Sequence, residues 1–410
     1  MSKVGNCYIG IDLSDKCAMV SFYQEHMQEP ETASAIAGSE NFYIPTLLAK
    51  RKGLGQWYYG DDARKMAKTT EVICIDALLR RAVNNETIRI EDESYESWEL
   101  LGLFLKKVME LPMKLGNVTS CDRLILTVER LSRENMEVFW KIAPKLGLRP
   151  DQFMVIDHKE SFYYFALSQT EDLWIHDVYM FENDGENLHY YGLKRNMRTT
   201  PQVVSIKESV RMPLEMDKDE EFLRMLQKAF ENQIVSSVYL VGEGFQGNWM
   251  KNSLTYLCRG RRVFVGNNLF SKGACYAGYV RDHEERWRCI YMGENEMKFN
   301  LSIKTKDKGN LSFHTLITAG KNWFETKGQC EIILSGTPEI DFWKQLPNSR
   351  EAVIETLELT DLPQRPDRTT RLRITVTPVA DDKVEVEIKD LGFGEIFRAT
   401  DKVWKCTMTM

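Results

Sequence analysis

The residues whose types and spacing could do chemistry begin near the amino-terminal end, where residues 8–23 read YIGIDLSDKCAMVSFY. Ile9, Ile11 and Leu13 alternate along a strand, Asp12 stands near its end, Ser14-Asp15-Lys16 turns the chain, and Ala18, Val20 and Phe22 bring it back. A carboxylate at the mouth of such a hairpin is a place to hold metal-bound phosphate, because Mg²⁺ is carried by one or two carboxylates together with phosphate oxygens. Other chemistries fail on spacing. His26, His158, His176, His189, His283 and His314 show no metal-ligand spacing with Cys or carboxylates, and neither a G-x-S-x-G turn nor a P-loop occurs. The nine cysteines are scattered, odd in number and without a C-x-x-C pair. Cys7 and Cys275 lie in apolar runs, where Cys acts as a small hydrophobe, so a reducing, cytoplasmic setting is expected.

The elements that must position Asp12 follow in an alternating order. After a loop containing Gly38 and Ser39 comes FYIPTLLAK (42–50), then WYYGDDARKMA (57–67), which runs a short strand into a helix. Residues 76–83 have helical spacing, and 93–111 reads as one amphipathic helix carrying Trp98, Leu101, Phe104, Leu105 and Val108 on a face. LILTV (124–128) reads as a fully buried parallel-type strand. Ser132 suits the N-cap of a helix that places Met136, Phe139, Trp140 and Ala143 in the core, with Pro144 kinking its last turn and Gly147 ending it. FMVID (153–157) enters a helix over 160–167. Strands at 178–181 and 188–193 bracket the turn Asn183-Asp184-Gly185, a helix spans 220–230, and VYLVG (238–242) is a buried strand. Helices at 248–257 and 270–280 flank the strand RVFVG (262–266). Strands alternating with helices in this way predict an α/β domain.

The style changes after the charged segment 281–288. MKFNLSI, LSFHTLI, CEIIL, AVIETLEL, RLRITVTP and KVEVEIKD each put one apolar and one charged face on a strand. Leu372, Ile374 and Val376 face Val384, Val386 and Ile388 across the hairpin turn Ala380-Asp381-Asp382. The expectation is an antiparallel β-sandwich of six to eight strands over 289–410, behind an α/β domain over 1–282. Trp323, Phe324, Phe342 and Trp343 in this part are candidates for a peptide-contact patch or for core. A net charge of −6 and a hydrophobic fraction of 43% suit a globular protein that binds neither nucleic acid nor anionic lipid. The cluster Arg259-Gly260-Arg261-Arg262 is expected to be a solvated turn before a strand. No apolar run is long enough to span a bilayer, and no charged-then-apolar leader precedes the hairpin.

Taken in order, these pieces resemble the superfamily of actin, sugar kinases and heat-shock chaperones, closest to the seventy-kilodalton heat-shock chaperones. The resemblance is carried by YIPTLLAK followed by YGDDARKMA, by WELLGLFLKKVMELPMKLGNVTSCDRLILTVERLSREN, by KLGLRPDQFMVIDHKESFYYFAL, and by ELTDLPQRPDRTTRLRITVTPVADDKVEVEIKD in the tail. It implies a two-lobed actin-like (ribonuclease H-like) core, with its second lobe reduced because 186–238 has room for only a helix or two. It also implies a substrate-binding type of sandwich. Ending at Met410 directly after that sandwich, the chain is expected to lack the chaperones' helical lid.

In that superfamily two hairpins clamp the phosphates of ATP around Mg²⁺ and a glycine turn holds adenosine. By resemblance Asp12 is the metal-facing carboxylate, Arg64 stands where the catalytic lysine does, and Glu160 takes the place of a Glu that orients metal and water. Ser14, Lys16, Gly185, Gly242 and Gly244 align with the nucleotide-binding turns. The departures are chemical. Ser14-Asp15-Lys16 replaces small Gly and Thr residues, and Asp184 and Glu186 stand where phosphate oxygens belong. Two carboxylates facing a polyanion at ~4 Å are repulsive by roughly 1 to 4 kcal/mol per pair. The expectation is a chaperone-like interaction protein with a degenerate ATP-binding cleft, its ATPase activity lost or weak, that binds a protein or peptide partner through the sandwich. The alternatives are an active chaperone or switch that binds ATP or ADP with Mg²⁺, and an actin-like assembly protein.

Overall fold

The opening hairpin forms as its alternation requires. The Cys7–Leu13 strand pairs antiparallel with Cys17–Gln24 from Cys7↔Gln24 to Leu13↔Ala18, leaving Ser14-Asp15-Lys16 as the turn. The computed structural model describes residues 6–34, 41–69, 71–214, 217–307, 309–400 and 402–410, so the loop through Gly38 and Ser39 lies outside the described residues. Two compact units divide the chain: Met1–Lys194 with Ile206–Trp287, and Arg195–Ser205 with Arg288–Met410.

The first unit is mixed α/β and holds the same strand arrangement twice. One sheet runs Phe153–Asp157, Arg123–Val128, Cys7–Leu13 and Cys17–Gln24, with neighbours parallel, parallel and then antiparallel. The other runs Arg262–Val265, Val235–Val241, Asp177–Asn183 and Asn187–Asn196 with the same three senses. Within the parallel strands, Leu124 to Leu126 and Val238 to Val241 are unbroken apolar runs because both faces are covered there. A helix follows the outermost strand of each set, His158–Leu167 and Leu269–Asp282, and the two helices cross closely. Gly273 permits this, since a Cβ there would stand 2.2 Å from the Ser161 carbonyl oxygen. The Ser161 hydroxyl donates across the crossing to the Phe270 carbonyl at 2.6 Å.

Two sequence expectations shift at element ends. The 93–111 helix begins only at Ser97, because Glu93–Glu96 is a strand paired with Thr87–Ile90. That strand brings Glu93 and the Tyr95 hydroxyl to Lys50, a residue only 5% exposed whose charge would otherwise be buried without partners. The 76–83 helix begins at Leu78, after Val72–Ile75 pairs with Leu48–Arg51. Met136 and Phe139 are core, whereas Trp140 is 41% exposed. Between Glu186 and Val238 the chain also forms the strand Gln202–Glu208, beside the expected helix at Lys218–Ala229.

Among the described residues the second unit carries eight long strands in two antiparallel sheets. Asn310–Ile317, Asn300–Asp307, Glu339–Gln345 and Ala352–Glu358 make one, and Gly328–Leu334, Thr370–Ala380, Lys383–Gly392 and Val403–Thr409 the other. Leu372, Ile374, Val376, Val384, Val386 and Ile388 all face the shared core, and Ala380 pairs with Lys383 across the expected turn. Asp390 is fully buried and clasps Arg365 through two bonds of 2.8 Å. The four aromatics do not form one patch. Phe342 is core and Trp323 packs against that core, while Trp343, next along the strand, points to the opposite face and meets Phe313 at 5.1 Å. Among the described residues no helix is long and apolar enough to cross a membrane.

Candidate functional site

Asp12 does not stand open at the hairpin mouth. Its carboxylate meets the His158 Nε2 at 2.8 Å, and the two side chains are 13% and 10% exposed. His158 sits at the first position of its helix, behind the N-cap Asp157, which accepts the Glu160 N–H at 2.7 Å. The imidazole lies flat on the Phe270 ring, with centroids 3.7 Å apart and planes within 8°. Burial disfavours a charged ring there. The charge and hydrogen bond of Asp12, with Glu182 and Glu129 nearby, nonetheless hold the His158 pKa above the ordinary histidine value. Its Nδ1 is buried without a hydrogen-bond partner.

More charge pairs surround this one. Lys159 meets Glu208 at 3.0 Å, Arg130 meets the same Glu208 at 3.4 Å, and Arg211 pairs with Glu129. Glu182 lies 3.3 Å from His189, whose Nε2 also contacts the Tyr191 hydroxyl at 2.9 Å. Burial pushes the Glu182 pKa up, but His189, His158 and Arg211 together carry it below the ordinary carboxylate value.

The two turns that flank Asp12 are occupied by their own side chains. The Ser14 hydroxyl donates to the Cys17 carbonyl at 2.9 Å, and the Ser14 carbonyl accepts from the Thr46 hydroxyl at 2.8 Å. Asp15 accepts the Arg80 N–H at 3.0 Å, so it anchors a helix start. In the other turn, Asp184 accepts the Glu186 and Asn187 N–H groups at 2.8 and 2.7 Å. Those bonds and the charge of Lys16 outweigh burial and lower the Asp184 pKa, which brings the first turn's cation and the second turn's anion into one field. The backbone at Gly185 has φ +95°, as this tight turn requires.

Gly242 and Gly244 serve Asn183. At Gly242, with φ +109°, a Cβ would stand 2.1 Å from the Asn183 carbonyl oxygen, and at Gly244 it would stand 2.0 Å from the Asn183 Oδ1. That Oδ1 accepts the Gly185 N–H at 3.0 Å, and the Gly242 N–H goes to Asn267 at 2.9 Å. The space that a glycine pair would leave for a ligand holds an asparagine. Tyr43 lies in the same surroundings: burial, then Glu243, Cys17 and Asp12, push its phenol pKa up.

Of the residues singled out from sequence, Asp12, Ser14, Lys16, Gly185, Gly242 and Gly244 belong to this neighbourhood. Glu160 is buried at the start of the His158 helix, 5% exposed. Arg64 is not brought in: its side chain is 65% exposed and pairs with Asp61 on its own helix at 3.5 Å. His158 and Asn183 are the residues that sequence reasoning missed. Local spacing speaks only to metal ligation by histidine, and a histidine can instead partner a carboxylate 146 positions away.

The molecule is thus an α/β unit with a self-paired polar centre, together with a β-sandwich unit. The chain belongs to a family of unknown function (DUF5716), whose C-terminal model matches residues 29–294. A domain of unknown function (DUF8552) matches residues 296–410. No curated protein matches the chain.

Proposed function

We propose that this protein is a chaperone-derived interaction protein, with an actin-like core that no longer turns over ATP and a sandwich that binds an extended segment of a partner protein in the cytoplasm. The observation that carries the first half is the His158 ring on Asp12. A magnesium ion would need that carboxylate open toward phosphate, and instead it is neutralised by a buried, stacked imidazole. The Asn183 side chain against Gly242 and Gly244 adds to it, because close backbone approach to a ligand requires that space. These residues do not fit Mg-ATP. The repeated strand arrangement supports an actin-like ancestry for the core, which is an inference from fold and says nothing of activity by itself.

The sandwich supports the second half. Between its two sheets opens a cavity of about 1060 Å³, lined in part by Ile303, Leu311, Ile333 and Ile340 with Lys304 and Lys306. Leu311 and Ile333 are 67% and 53% exposed, so apolar surface remains there for a partner to cover. Calorimetry of the full chain with Mg-ATP tests the first half. No heat is expected up to about 1 mM nucleotide, where a binding free energy of about −4 kcal/mol would register. Micromolar binding abolished by Asp12→Ala would overturn the reading. Peptides selected on the chain from a displayed library should compete for one site and lose affinity with Ile333→Glu.

A further inference from the structure

The cluster Arg259-Gly260-Arg261-Arg262 leads into a strand that the proposed function does not use. Arg262–Val265 is an edge: it pairs with Val235–Val241 on one side, from Ser237↔Arg262 to Leu240↔Val265, and among the described residues its other side carries no strand. An edge of this kind presents unpaired N–H and C=O groups to any extended chain. Natural edges are usually blunted by charge or covered, and this one, charged at Arg262, leaves apolar side chains exposed beyond it. Phe264 is 39% and Val265 65% exposed.

At the Val265 end of that edge lies a cavity of about 170 Å³. Its aromatic wall is built by Phe264 stacked on Tyr239, with centroids 5.2 Å apart, and by Phe165 edge-on to Tyr239 at 5.4 Å. Its far wall is the Lys272–Glu29 pair at 3.2 Å. Sites for free small molecules commonly hold roughly 300–1,000 Å³. This cavity is smaller and suits a single side chain, and its aromatic lining suits an aromatic one.

At the other end the charge is positive. Arg261 turns back over the Phe230 and Tyr256 rings at 4.5 and 5.2 Å. Arg259 and Arg262 are exposed, and among the described residues neither is seen paired with a carboxylate. In a chain of net charge −6, an unpaired basic end beside an apolar edge selects for acidic partners.

We propose that the Arg262–Val265 edge is a docking site for an extended, acidic segment of a partner protein, which adds a strand there and seats one aromatic side chain in the cavity walled by Phe165, Tyr239 and Phe264. The site shares no lining residue with the sandwich cavity.

The test uses the full chain and a fluorescein-labelled peptide, DEVEWEVD, read by anisotropy. Saturable binding is expected, weakened by about tenfold, or roughly 1.4 kcal/mol, in Val265→Glu and again in Arg262→Glu. Both side chains are exposed, so the melting temperature of each variant should match that of the parent. The same peptide with Lys at its acidic positions should not bind. A photo-crosslinker in place of the peptide's Trp should label the segment around Phe264 and Lys272. Four results would each overturn the proposal: no binding at any accessible concentration, equal binding by both variants, equal binding of the basic peptide, or crosslinks confined to the sandwich. Sedimentation showing a dimer of the chain that Val265→Glu abolishes would assign the edge to a second copy and overturn it as well.

Discussion

The centre of the first unit and the mouth of the sandwich both set charge beside apolar surface, yet they differ in what is left over. Around Asp12 four carboxylates are set against basic side chains: His158 for Asp12, His189 for Glu182, Lys159 and Arg130 for Glu208, Arg211 for Glu129. At the sandwich cavity Lys304 and Lys306 carry no ion pair among the described residues, and Leu311 and Ile333 face solvent. Binding draws on groups that are not already satisfied, so a partner gains more at the second place than at the first. The sandwich has its own satisfied pair, Arg365 with Asp390, deep in the fold and away from the cavity lining. Buried pairing is therefore a structural device in both units. The difference lies in whether it also occupies the place where a ligand would go.

The largest effect should come from the pair that is purely structural. Asp390 accepts from Arg365 twice, from the Gly392 N–H at 2.9 Å and from the Thr400 hydroxyl at 2.7 Å. Removing one member of a buried pair strands the other, so Asp390→Ala should cost the sandwich about 3–5 kcal/mol. Hydrogen exchange read by mass spectrometry should show strands of the second unit losing protection while those of the first keep it. Burial opposes the Asp390 charge, but Arg365, Gly392 and Thr400 hold its pKa well below the carboxylate range. Its contribution is thus complete above the unfolded value near ~3.9 and is lost as pH falls through the lower native value. Uniform loss of protection in both units would erase the distinction between them.

Next in size is the pair that fills the site. His158→Ala leaves Asp12 without its cation at 13% exposure, a cost of about 2–3 kcal/mol in the first unit because some water can reach the carboxylate. The pH dependence has the opposite sign to that of Asp390. The His158 pKa is raised, so its contribution is complete below the unfolded value of ~6.5 and is lost as pH rises through the native value. Urea unfolding of the first unit should weaken over that window in the parent and show a flatter profile in His158→Gln. A parent profile without that decline would mean that the imidazole is neutral and that the pair is an ordinary hydrogen bond.

A smaller effect tests what the glycines are for. Gly244→Ala drives a Cβ to 2.0 Å from the Asn183 Oδ1, an overpacking that should cost roughly 1–3 kcal/mol. Asn183→Ala removes the obstacle and should cost about 1 kcal/mol through the lost turn hydrogen bond. If the glycine exists for the asparagine, the double variant should be more stable than the sum of the two losses, by urea melts of all four proteins. Strict additivity would mean that the backbone at Gly244 is constrained by something else.

Much of the arrangement was legible in the sequence because it rests on local signals. The hairpin at Asp12, the unbroken strand LILTV, the Ser132 cap and the alternating strands of the tail each follow from period and turn chemistry within a few residues. What stayed hidden depends on residues far apart in the chain. Nothing near Asp12 announces His158, and nothing near Gly242 announces that Asn183 will fill the space a ligand could take. The strand at Glu93–Glu96 is different: its partner Thr87–Ile90 is local, and it was hidden because the residues after it continue the helical period; only the Lys50 that its side chains meet lies more than forty positions away. Arg64 shows the converse: an alignment by resemblance fixes a position in a motif, but not the direction of a side chain.

Arg64 also provides the smallest prediction, and one that sets an exposed pair of the first unit against the buried pairs at its centre. It lies on the outer face of the Gly60–Met66 helix, 65% exposed and paired with Asp61 three residues before it. Exposed pairs of this spacing are worth a few tenths of a kcal/mol, because two flexible side chains must be held in place against water. Arg64→Ala should therefore change the stability of the first unit by less than about 0.5 kcal/mol. It should also leave the pH profile set by His158 untouched, since none of the groups that shift His158 is Arg64. A change in that profile would mean that the helix swings its guanidinium toward Asp12 in solution, and the carboxylate would then have a second cation competing with the imidazole.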